Sequence, residues 1–346
     1  MDHLTPLDAA TARDPYPYYA RLVRERPFYF EGDLGMWIAS SARAVETVLL
    51  SDAMLVRPQT EPVPAAIAGT SAGALFGRFM RVTEGEHQAR LKRAALGALN
   101  AFAAGDLLPW ARDCAARFPH RTADAFVSLF TPFAMAHALG LHGSRAHDAA
   151  RAALAFAREF SSDAADALVA MLAEAVDRGT SRALLLEEFI AAARGQAIAR
   201  DALIANAVAL LFQSCDAGAG LIGNTLLALA HSTARTLDET IAFAARYDSP
   251  VQNTRRYAAR DARLLGNLVC EGQTVLVLIA AANHDPAASR SYTFGIGPHA
   301  CPAERIAHAI AHAAVKTVVT STDPSALRFT GYHPLPNVRI PVFAEG

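Results

Sequence analysis

The sequence has almost no excess of charge of either sign, since 32 lysines and arginines face 33 aspartates and glutamates in 346 residues. A chain without a net field does not draw nucleic acid or an anionic membrane to its whole surface. Cysteine is also scarce: the four are far apart and form no C-x-x-C pair, so neither a disulfide scaffold nor a cysteine zinc site is indicated. We therefore expect no nucleic-acid partner and look for function in local motifs.

Signals for secretion or membrane insertion are also lacking. Residues 1–6 show no basic region, apolar core or cleavage site of a secretory signal. The most apolar stretch, residues 205–230, is interrupted by Gln213, Asp216 and Asn224, so it predicts a buried core helix rather than a membrane span. We expect a cytoplasmic protein with no membrane partner.

What the sequence does contain is material for a large core, because 52% of the residues are apolar and 19% are charged. No Gly/Ser-rich tether, proline-rich spacer or block of like charge interrupts it, which favours a single domain over residues 1–346. Residues 89–237 have the three-and-four apolar spacing of helices, with expected breaks at Pro109, Pro132, Gly140 and the turn at 177–180.

Strand patterns are confined to the flanks of this helical block. Residues 28–30 and 36–39 predict a hairpin, and further strands are expected in 262–269, in 273–279 and as a C-terminal pair within 327–342. The fold class that follows is mainly α, a helical bundle with small β-sheets on one side. Residues 58–82 are rich in Pro and Gly and predict a long functional loop, with a mobile surface excursion as the alternative.

The most informative window is Phe294-Gly-Ile-Gly-Pro-His-Ala-Cys301, which is followed by a predicted helix from Glu304 to about Val319. A thiolate at a helix start meets unpaired N–H groups and the positive end of the helix dipole, which favour the anionic form that a metal needs. Loop N–H groups can also donate towards the sulfur and tune it. Taken alone, a cysteine here is more often a small buried apolar residue.

In this window, Phe294, Gly297 and Cys301 resemble the heme-binding loop of cytochrome P450, in which the thiolate is the axial iron ligand. The resemblance runs along almost the whole chain and implies the cytochrome P450 fold and a heme b cofactor. It includes the segments Asp14–Tyr19, Gly35–Ile38, Leu221–Asn224, Arg246–Gln252 and Ala282–Pro286.

The resemblance also implies partners for the two heme propionates, anions that must be paired when partly buried. These are His87, Arg256 and His299. Most members place an arginine four residues after the first histidine, but Leu91 holds that position here, so Arg90 or Arg93 would substitute.

Two departures from the family pattern lie on the helices that flank the loop. Family members pair a glutamate with an arginine three residues later, but here Phe243 precedes Arg246. A buried guanidinium without a carboxylate is costly, so we expect a backbone carbonyl or Asp248 to serve it. The segment between Pro286 and Phe294 is also much shorter than in most members, which implies a trimmed cysteine side.

The second departure concerns proton delivery. Family members place an acid followed by threonines in the central helix, where a hydroxyl relays protons during dioxygen activation. The ungapped register puts Asp216 at the acid and Ala217 and Gly218 at the hydroxyl positions, so both hydroxyls are absent. A substrate group could take over the relay, or hydrogen peroxide could replace dioxygen with Asp216 as acid and base. The alternative for Asp216 is a structural pair with a neighbouring arginine.

Two weaker patterns follow Cys301. His308 and His312 have a metal-compatible i, i+4 spacing without an evident third ligand. Five basic residues would suit an acidic iron–sulfur partner or form a solvated face: Arg90, Lys92, Arg93, Arg305 and Lys316.

Three hypotheses follow. The first is a monomeric heme-thiolate monooxygenase that oxidises a small organic molecule in biosynthesis or secondary metabolism. Its electrons would come from a separate ferredoxin and ferredoxin reductase, since no nucleotide-binding G-x-G-x-x-G follows a strand. The second is a heme-thiolate peroxygenase, isomerase or dehydratase. The third is a catalytically degenerate binding module that retains the fold.

Overall fold

The computed structural model describes residues 4–179, 184–232 and 234–344. The chain divides into two compact units, the first made of Met1–Thr60, Gly223–Cys301 and Thr322–Gly346 and the second of Glu61–Ile222 and Pro302–Ser321. The single domain expected from the sequence stays a prediction, which a test for one cooperative unfolding transition would address.

Helices make up most of the described chain. They are α1 (Tyr16–Glu25), α2 (Ala42–Leu50), α3 (Ser71–Phe76), α4 (Gly85–Phe102), α5 (Leu108–Arg117), α6 (Ala123–Ala138), α7 (Ser144–Glu159), α8 (Ser162–Arg178), α9 (Leu184–Gly195), α10 (Arg200–His231), α11 (Leu237–Tyr247), α12 (Ile279–Asn283) and α13 (Glu304–Ser321). The strands are β1 (Phe28–Glu31), β2 (Met36–Ala39), β3 (Met54–Leu55), β4 (Thr254–Ala258), β5 (Ala262–Leu264), β6 (Asn267–Val269), β7 (Thr274–Val277), β8 (Arg328–Tyr332) and β9 (Pro341–Ala344).

The strands described all belong to the first unit, which confirms a mainly α fold with small sheets. One sheet has the order β1-β2-β7-β4-β3, with β2 parallel to β7 and the other neighbours antiparallel. The predicted hairpin is confirmed as β1 and β2, and its turn contains Gly35 at φ +62°. The segment 262–269 is itself a hairpin of β5 and β6, and the C-terminal pair is β8 and β9.

The core of the first unit lies on both faces of this sheet. On one face, Val45 and Val48 of α2 pack with Val275 and Val277 of β7. On the other, Ile38 and Leu276 pack with Tyr19 of α1. Val275 and Val277 thus face one side of the sheet and Leu276 the other, which is the alternation that the pleat of a strand produces.

The second unit is a helical bundle whose core is rich in phenylalanine. One buried group lies at the junction of α5 and α6 and comprises Phe118, Phe126, Phe130 and Phe133. The expected break at Pro132 is wrong, because this residue lies inside α6. Its neighbours Thr131 and Phe133 are buried, so packing of the helix compensates for the amide hydrogen bond that proline cannot make. The turn predicted at 177–180 lies partly outside the described residues, which stop at 179 there; its first two residues belong to α8.

Residues 58–82 are more ordered than the loop predicted from their composition. A 3-10 turn spans Ala65–Ile67, and α3 follows with Thr70 as its N-cap, whose hydroxyl accepts from the amide of Gly73 at 3.1 Å. A Cβ at Gly73 would lie 2.0 Å from the carbonyl oxygen of Ile67. The glycine that suggested irregularity therefore permits a close approach of backbone to helix.

The apolar stretch predicted as a core helix is α10. It is long and apolar enough to cross a membrane by length and composition, but 67% of its most apolar 18-residue window is buried in the folded chain. In the second unit, buried Asn206 of α10 accepts from the amide of Met80 at 2.8 Å and donates to the carbonyl oxygen of Arg78 at 3.1 Å. This side chain fixes the end of the 58–82 segment against the helix.

Candidate functional site

The loop from Phe294 to Cys301, here called the Cys loop, is a compact turn in the first unit. The amide of Cys301 donates to the carbonyl oxygen of Phe294 at 2.7 Å, which closes the loop at its two ends. A 3-10 turn spans Gly297–His299 between them, and α13 begins at Glu304, as the sequence predicted. The closed loop leaves Cys301 exposed at the point where the chain enters a helix, which suits a thiolate ligand.

Two glycines make the shape of the Cys loop possible. Gly295 and Gly297 have φ of +69° and +72°, in the left-handed region that side chains disfavour. A Cβ at Gly297 would also lie 2.8 Å from Cδ2 of Leu50, at the end of α2. The backbone conformation therefore favours glycine at 297, and a larger residue would also have to displace the exposed side chain of Leu50.

A buried polar cluster holds the chain just before the Cys loop. Asn283, at the end of α12, is 1% exposed, accepts from the amide of Tyr292 at 2.7 Å, and donates to Ser249 Oγ at 2.8 Å and Thr293 Oγ1 at 2.9 Å. Ser249 in turn donates to the carbonyl oxygen of Arg246 at 2.9 Å. We call Asn283, Ser249, Tyr292 and Thr293 the anchor cluster. It ties α11 and α12 to the loop in the absence of a Glu-Arg pair.

Arg246 has no carboxylate partner among the described residues. Its Nη2 lies 3.5 Å from the carbonyl oxygen of Ala288, and its guanidinium lies 5.2 Å from the ring centre of Tyr247. A backbone carbonyl was one of the two expected acceptors. The other, Asp248, is instead bonded to Nε of Arg339 at 2.7 Å. The Arg246 guanidinium is thus only partly served: it has one long carbonyl contact, and its buried Nε–H has no partner among the described residues.

Arg339 was not found by sequence reasoning. It is 1% exposed and donates to the carbonyl oxygens of Ala12 at 2.6 Å and Arg13 at 3.0 Å, besides its pair with Asp248. Its guanidinium stacks 3.6 Å above the Tyr332 ring. The hydrogen-bond donors of Arg339 are thus used in structural contacts. The only sequence signal for its ion pair was the acid Asp248.

The two candidate propionate ligands of the first unit differ in burial. Arg256 on β4 is 7% exposed, and its Nη1 donates to the carbonyl oxygen of Arg255 at 2.9 Å. Arg255 is exposed, so the pleat of β4 turns only the second arginine inward. His299 is half-buried within the Cys loop. This is the arrangement that the propionate hypothesis requires of Arg256.

In the second unit, α4 carries the other candidate propionate ligands. His87 lies exposed in its first turn, and Leu91 is fully buried. Arg93 is engaged by Glu86 at 2.8 Å and Gln196 at 3.3 Å, and this guanidinium lowers the pKa of Glu86. Arg90 has a buried Nε–H with no acceptor among the described residues. Of the two arginines considered for Leu91's position, Arg90 is therefore the one with an unmet donor.

The middle of α10 holds the predicted relay residues. Asp216 pairs with Arg158 of α7 at 3.3 Å, and each side chain is 26% exposed. The pair is the structural alternative considered for this acid, although partial exposure leaves the carboxylate accessible to protons. Cys215 beside it is buried, with Sγ 3.4 Å from the carbonyl oxygen of Leu211.

Gly218 has no room for a side chain. A Cβ there would lie 2.4 Å from Oγ1 and 2.6 Å from Cβ of Thr131 on α6. Thr131 is 4% exposed, and its hydroxyl has no hydrogen-bond partner among the described residues. A threonine of the neighbouring helix thus fills the space beside the second hydroxyl position, which residue-by-residue reading of α10 could not reveal.

The remaining candidates have a smaller part in the site. Burial raises the pKa of Cys114 to about 12 and also raises that of Cys215, so both thiols stay protonated, while Cys270 is exposed. Within the described ranges, no three His, Cys, Asp or Glu side chains lie close enough together to hold a metal ion. His308 and His312 therefore have no third ligand among the described residues.

In the first unit, the Cys loop presents an exposed cysteine in a turn that glycines allow, and Arg256 is a buried cation, which suit the iron and a propionate of a heme group. In the second unit, Arg90 has a buried N–H that finds no acceptor among the described residues. A buried N–H donor of this kind is costly unless an acceptor, such as a carboxylate, completes it.

Comparisons with curated proteins match short segments. No protein-family model matches the chain. The cytochrome P450 133B1 of Xylella fastidiosa (strain 9a5c) is 30% identical over 135 residues, which are 33% of this chain and 34% of the relative. The biotin biosynthesis cytochrome P450 of Bacillus subtilis (strain 168) is 33% identical over 87 residues, 21% of this chain and 22% of the relative. The sequence matches thus span about a third or less of these relatives.

Solved structures match along nearly the whole chain. P450BioI, crystallised with hexadec-9Z-enoic acid ligated acyl carrier protein, has a TM-score of 0.80 at 18% identity and covers 96% of this chain and 97% of its own. CalO2 has a TM-score of 0.80 at 20% identity, covering 99% and 98%. The P450 heme domain of Tepidiphilus thermophilus has a TM-score of 0.80 at 16% identity, covering 98% and 95%.

Proposed function

We propose that this chain, which has the cytochrome P450 fold, is a heme-thiolate oxidoreductase with Cys301 as the axial ligand of heme b. The observation that carries the proposal is the closed Cys loop, with its two left-handed glycines and its exposed thiol. His87, Arg90, Arg256 and His299 are the proposed propionate ligands. Phe294 and Gly297 shape the turn around the sulfur.

When bound, a heme with a thiolate ligand supplies electron-transfer and oxygen chemistry. The chain's own contribution begins with the loop, whose closing hydrogen bond and glycines hold the thiol of Cys301 in place. The anchor cluster keeps that loop at the end of α12. These contacts make the ligand position independent of a Glu-Arg pair, so the first function of the residues is orientation.

Proton movement is assigned to Asp216, which Arg158 orients from α7. The carboxylate is partly exposed and can exchange protons with solvent. Ala217 provides no hydroxyl, and Gly218 faces Thr131. We therefore propose that a group of the substrate, or the oxidant itself, completes the relay beyond Asp216.

The proposed reaction is oxidation of a small organic molecule of the monooxygenase type, as part of secondary metabolism. Electrons would come from a separate ferredoxin and ferredoxin reductase, with the basic residues of α4 and α13 as the docking charges. Arg93 of this set is paired with Glu86 at 2.8 Å. We expect a cytoplasmic monomer, and carrier-protein-bound acyl chains belong among the substrates to be screened, since P450BioI was crystallised with such a partner.

Reconstitution of the untagged chain with hemin tests the proposal. We expect one heme per chain and the red-shifted carbon monoxide band of a thiolate-ligated ferrous heme. Cys301→Ser should abolish that band, whereas Cys270→Ser, which removes the other exposed thiol, should retain it. A chain that binds no hemin, or a Cys301→Ser variant with an unchanged band, would refute the proposal.

A second candidate is a peroxygenase, which the absent hydroxyls at positions 217 and 218 and the accessible Asp216 favour. Turnover with hydrogen peroxide alone should then exceed turnover with ferredoxin, reductase and dioxygen. Ala217→Thr distinguishes the candidates further, because it adds a hydroxyl at the first of the two hydroxyl positions, whereas a side chain at Gly218 would overlap Thr131. A large gain in coupling with dioxygen would support the monooxygenase. No product under either condition would support the binding module.

A further inference from the structure

A cavity outside the proposed heme site gathers four histidines in the second unit. It has a volume of about 700 Å³ and lies where α5, α6, α7 and their connections meet. The histidines are His120, His137, His142 and His147. They form two pairs, with 2.9 Å between Nε2 of His120 and Nε2 of His147 and 3.3 Å between Nε2 of His137 and Nδ1 of His142.

These distances suit two ligands of one metal ion. Two imidazole nitrogens bound to a tetrahedral zinc ion at about 2.0–2.1 Å lie about 3.3 Å apart, and cis ligands of an octahedral ion lie somewhat closer. Without an ion, each pair is a hydrogen bond in which one neutral ring donates and the other accepts. The two nitrogens of a pair can therefore be joined either by a hydrogen bond or by a metal ion.

The His120 and His147 pair is also held by its elements. His120 packs edge-on against the buried ring of Phe118, 5.4 Å between centres. His147 lies in the first turn of α7, beside buried Ala146. Both rings are thus placed before an ion arrives, which lowers the entropy cost of binding.

We propose that this cavity binds a divalent transition-metal ion of the zinc class between Nε2 of His120 and Nε2 of His147. No third His, Cys, Asp or Glu of the described residues converges on the position, so water completes the coordination. Asp113, a carboxylate that lines the cavity, is bonded to Arg117 at 2.7 Å. On binding, the ring that donated moves its proton from Nε2 to Nδ1, so a neutral pair loses no net proton. The site is independent of the heme proposal.

Zinc titration of the untagged, chelator-treated chain tests the site. We expect at least one zinc ion per chain in the micromolar range and a rise in melting temperature, because an ion that binds only the folded chain stabilises it. His120→Gln with His147→Gln should remove that ion. His137→Gln with His142→Gln should retain it, and His231→Gln at the exposed end of α10 should change nothing.

Histidine modification followed by mass spectrometry provides a measurement that needs no variant. Zinc should protect His120 and His147 from the reagent in the wild-type chain. The proposal is overturned if the wild type binds no zinc in this range, if the His120 and His147 double variant binds as much zinc as the wild type, or if zinc leaves the modification of both residues unchanged.

Discussion

The support of the Cys loop and the middle of α10 both differ from the cytochrome P450 pattern that the sequence resembles, but with different structural outcomes. On α11, Phe243 stands where the pattern has a glutamate, and buried hydrogen bonds of the anchor cluster hold the chain that leads into the Cys loop. In the middle of α10 the hydroxyls are missing, and the neighbouring side chain of Thr131 fills the space without forming a hydrogen bond among the described residues. The comparison teaches that the ligand position and the proton path can be tested separately.

The largest effect is expected from removing the centre of the anchor cluster. Asn283→Ala leaves the hydroxyls of Ser249 and Thr293 and the amide of Tyr292 without their buried partner. The free energy of unfolding should fall by about 3 kcal/mol. Urea denaturation measures it, with Asn100→Ala on the exposed face of α4 as the control. A loss no larger than in the control would mean that the cluster does not support the loop.

The next effect distinguishes two helix-interior glycines. Gly218→Ala should destabilise the chain by about 1–3 kcal/mol, because the new methyl group overlaps Thr131. Gly97→Ala has nothing within 4 Å of its Cβ and should stabilise α4 by about 0.5–1 kcal/mol.

Thermal unfolding of the two glycine variants gives these values. Thr131→Ala combined with Gly218→Ala should recover part of the loss, since it removes atoms from the overlap. Equal effects at the two glycines would show that α6 does not pack against α10 as described.

Heme retention compares the two arginines of α4. Arg90→Gln should speed heme transfer to an apoprotein acceptor by about tenfold, because a charged hydrogen bond to a propionate is worth roughly 1.5–3 kcal/mol. Arg93→Gln should change it little, since Arg93 already pairs with Glu86. Absorbance at the heme band follows the transfer. The reverse ranking would assign the propionate to Arg93.

The smallest effect concerns thiol reactivity. Burial raises the pKa of Cys114 and Cys215, so both remain neutral thiols below those values and should resist alkylation at about pH 8. In the heme-free folded chain the exposed Cys270 and Cys301 should be labelled, and bound heme should protect only Cys301. Mass spectrometry identifies the sites, and labelling of Cys215 before Cys270 would contradict the burial of α10.

Local patterns accounted for much of the fold and for the Cys loop. The β1–β2 hairpin followed from its turn, and α13 begins at Glu304 as predicted. Composition failed where packing decided the outcome, as at Pro132 inside α6 and at Gly73, which lets α3 form within the predicted loop. Thr131 could not be found from the sequence, because its contact partner Gly218 lies 87 positions further along the chain, on another helix.

X-ray absorption at the iron edge of the hemin-reconstituted chain tests the central claim most directly. The account predicts one sulfur ligand at the iron in the wild type and in Cys270→Ser, and none in Cys301→Ser. A wild-type spectrum with only nitrogen and oxygen ligands, or a sulfur ligand that survives Cys301→Ser, would contradict it.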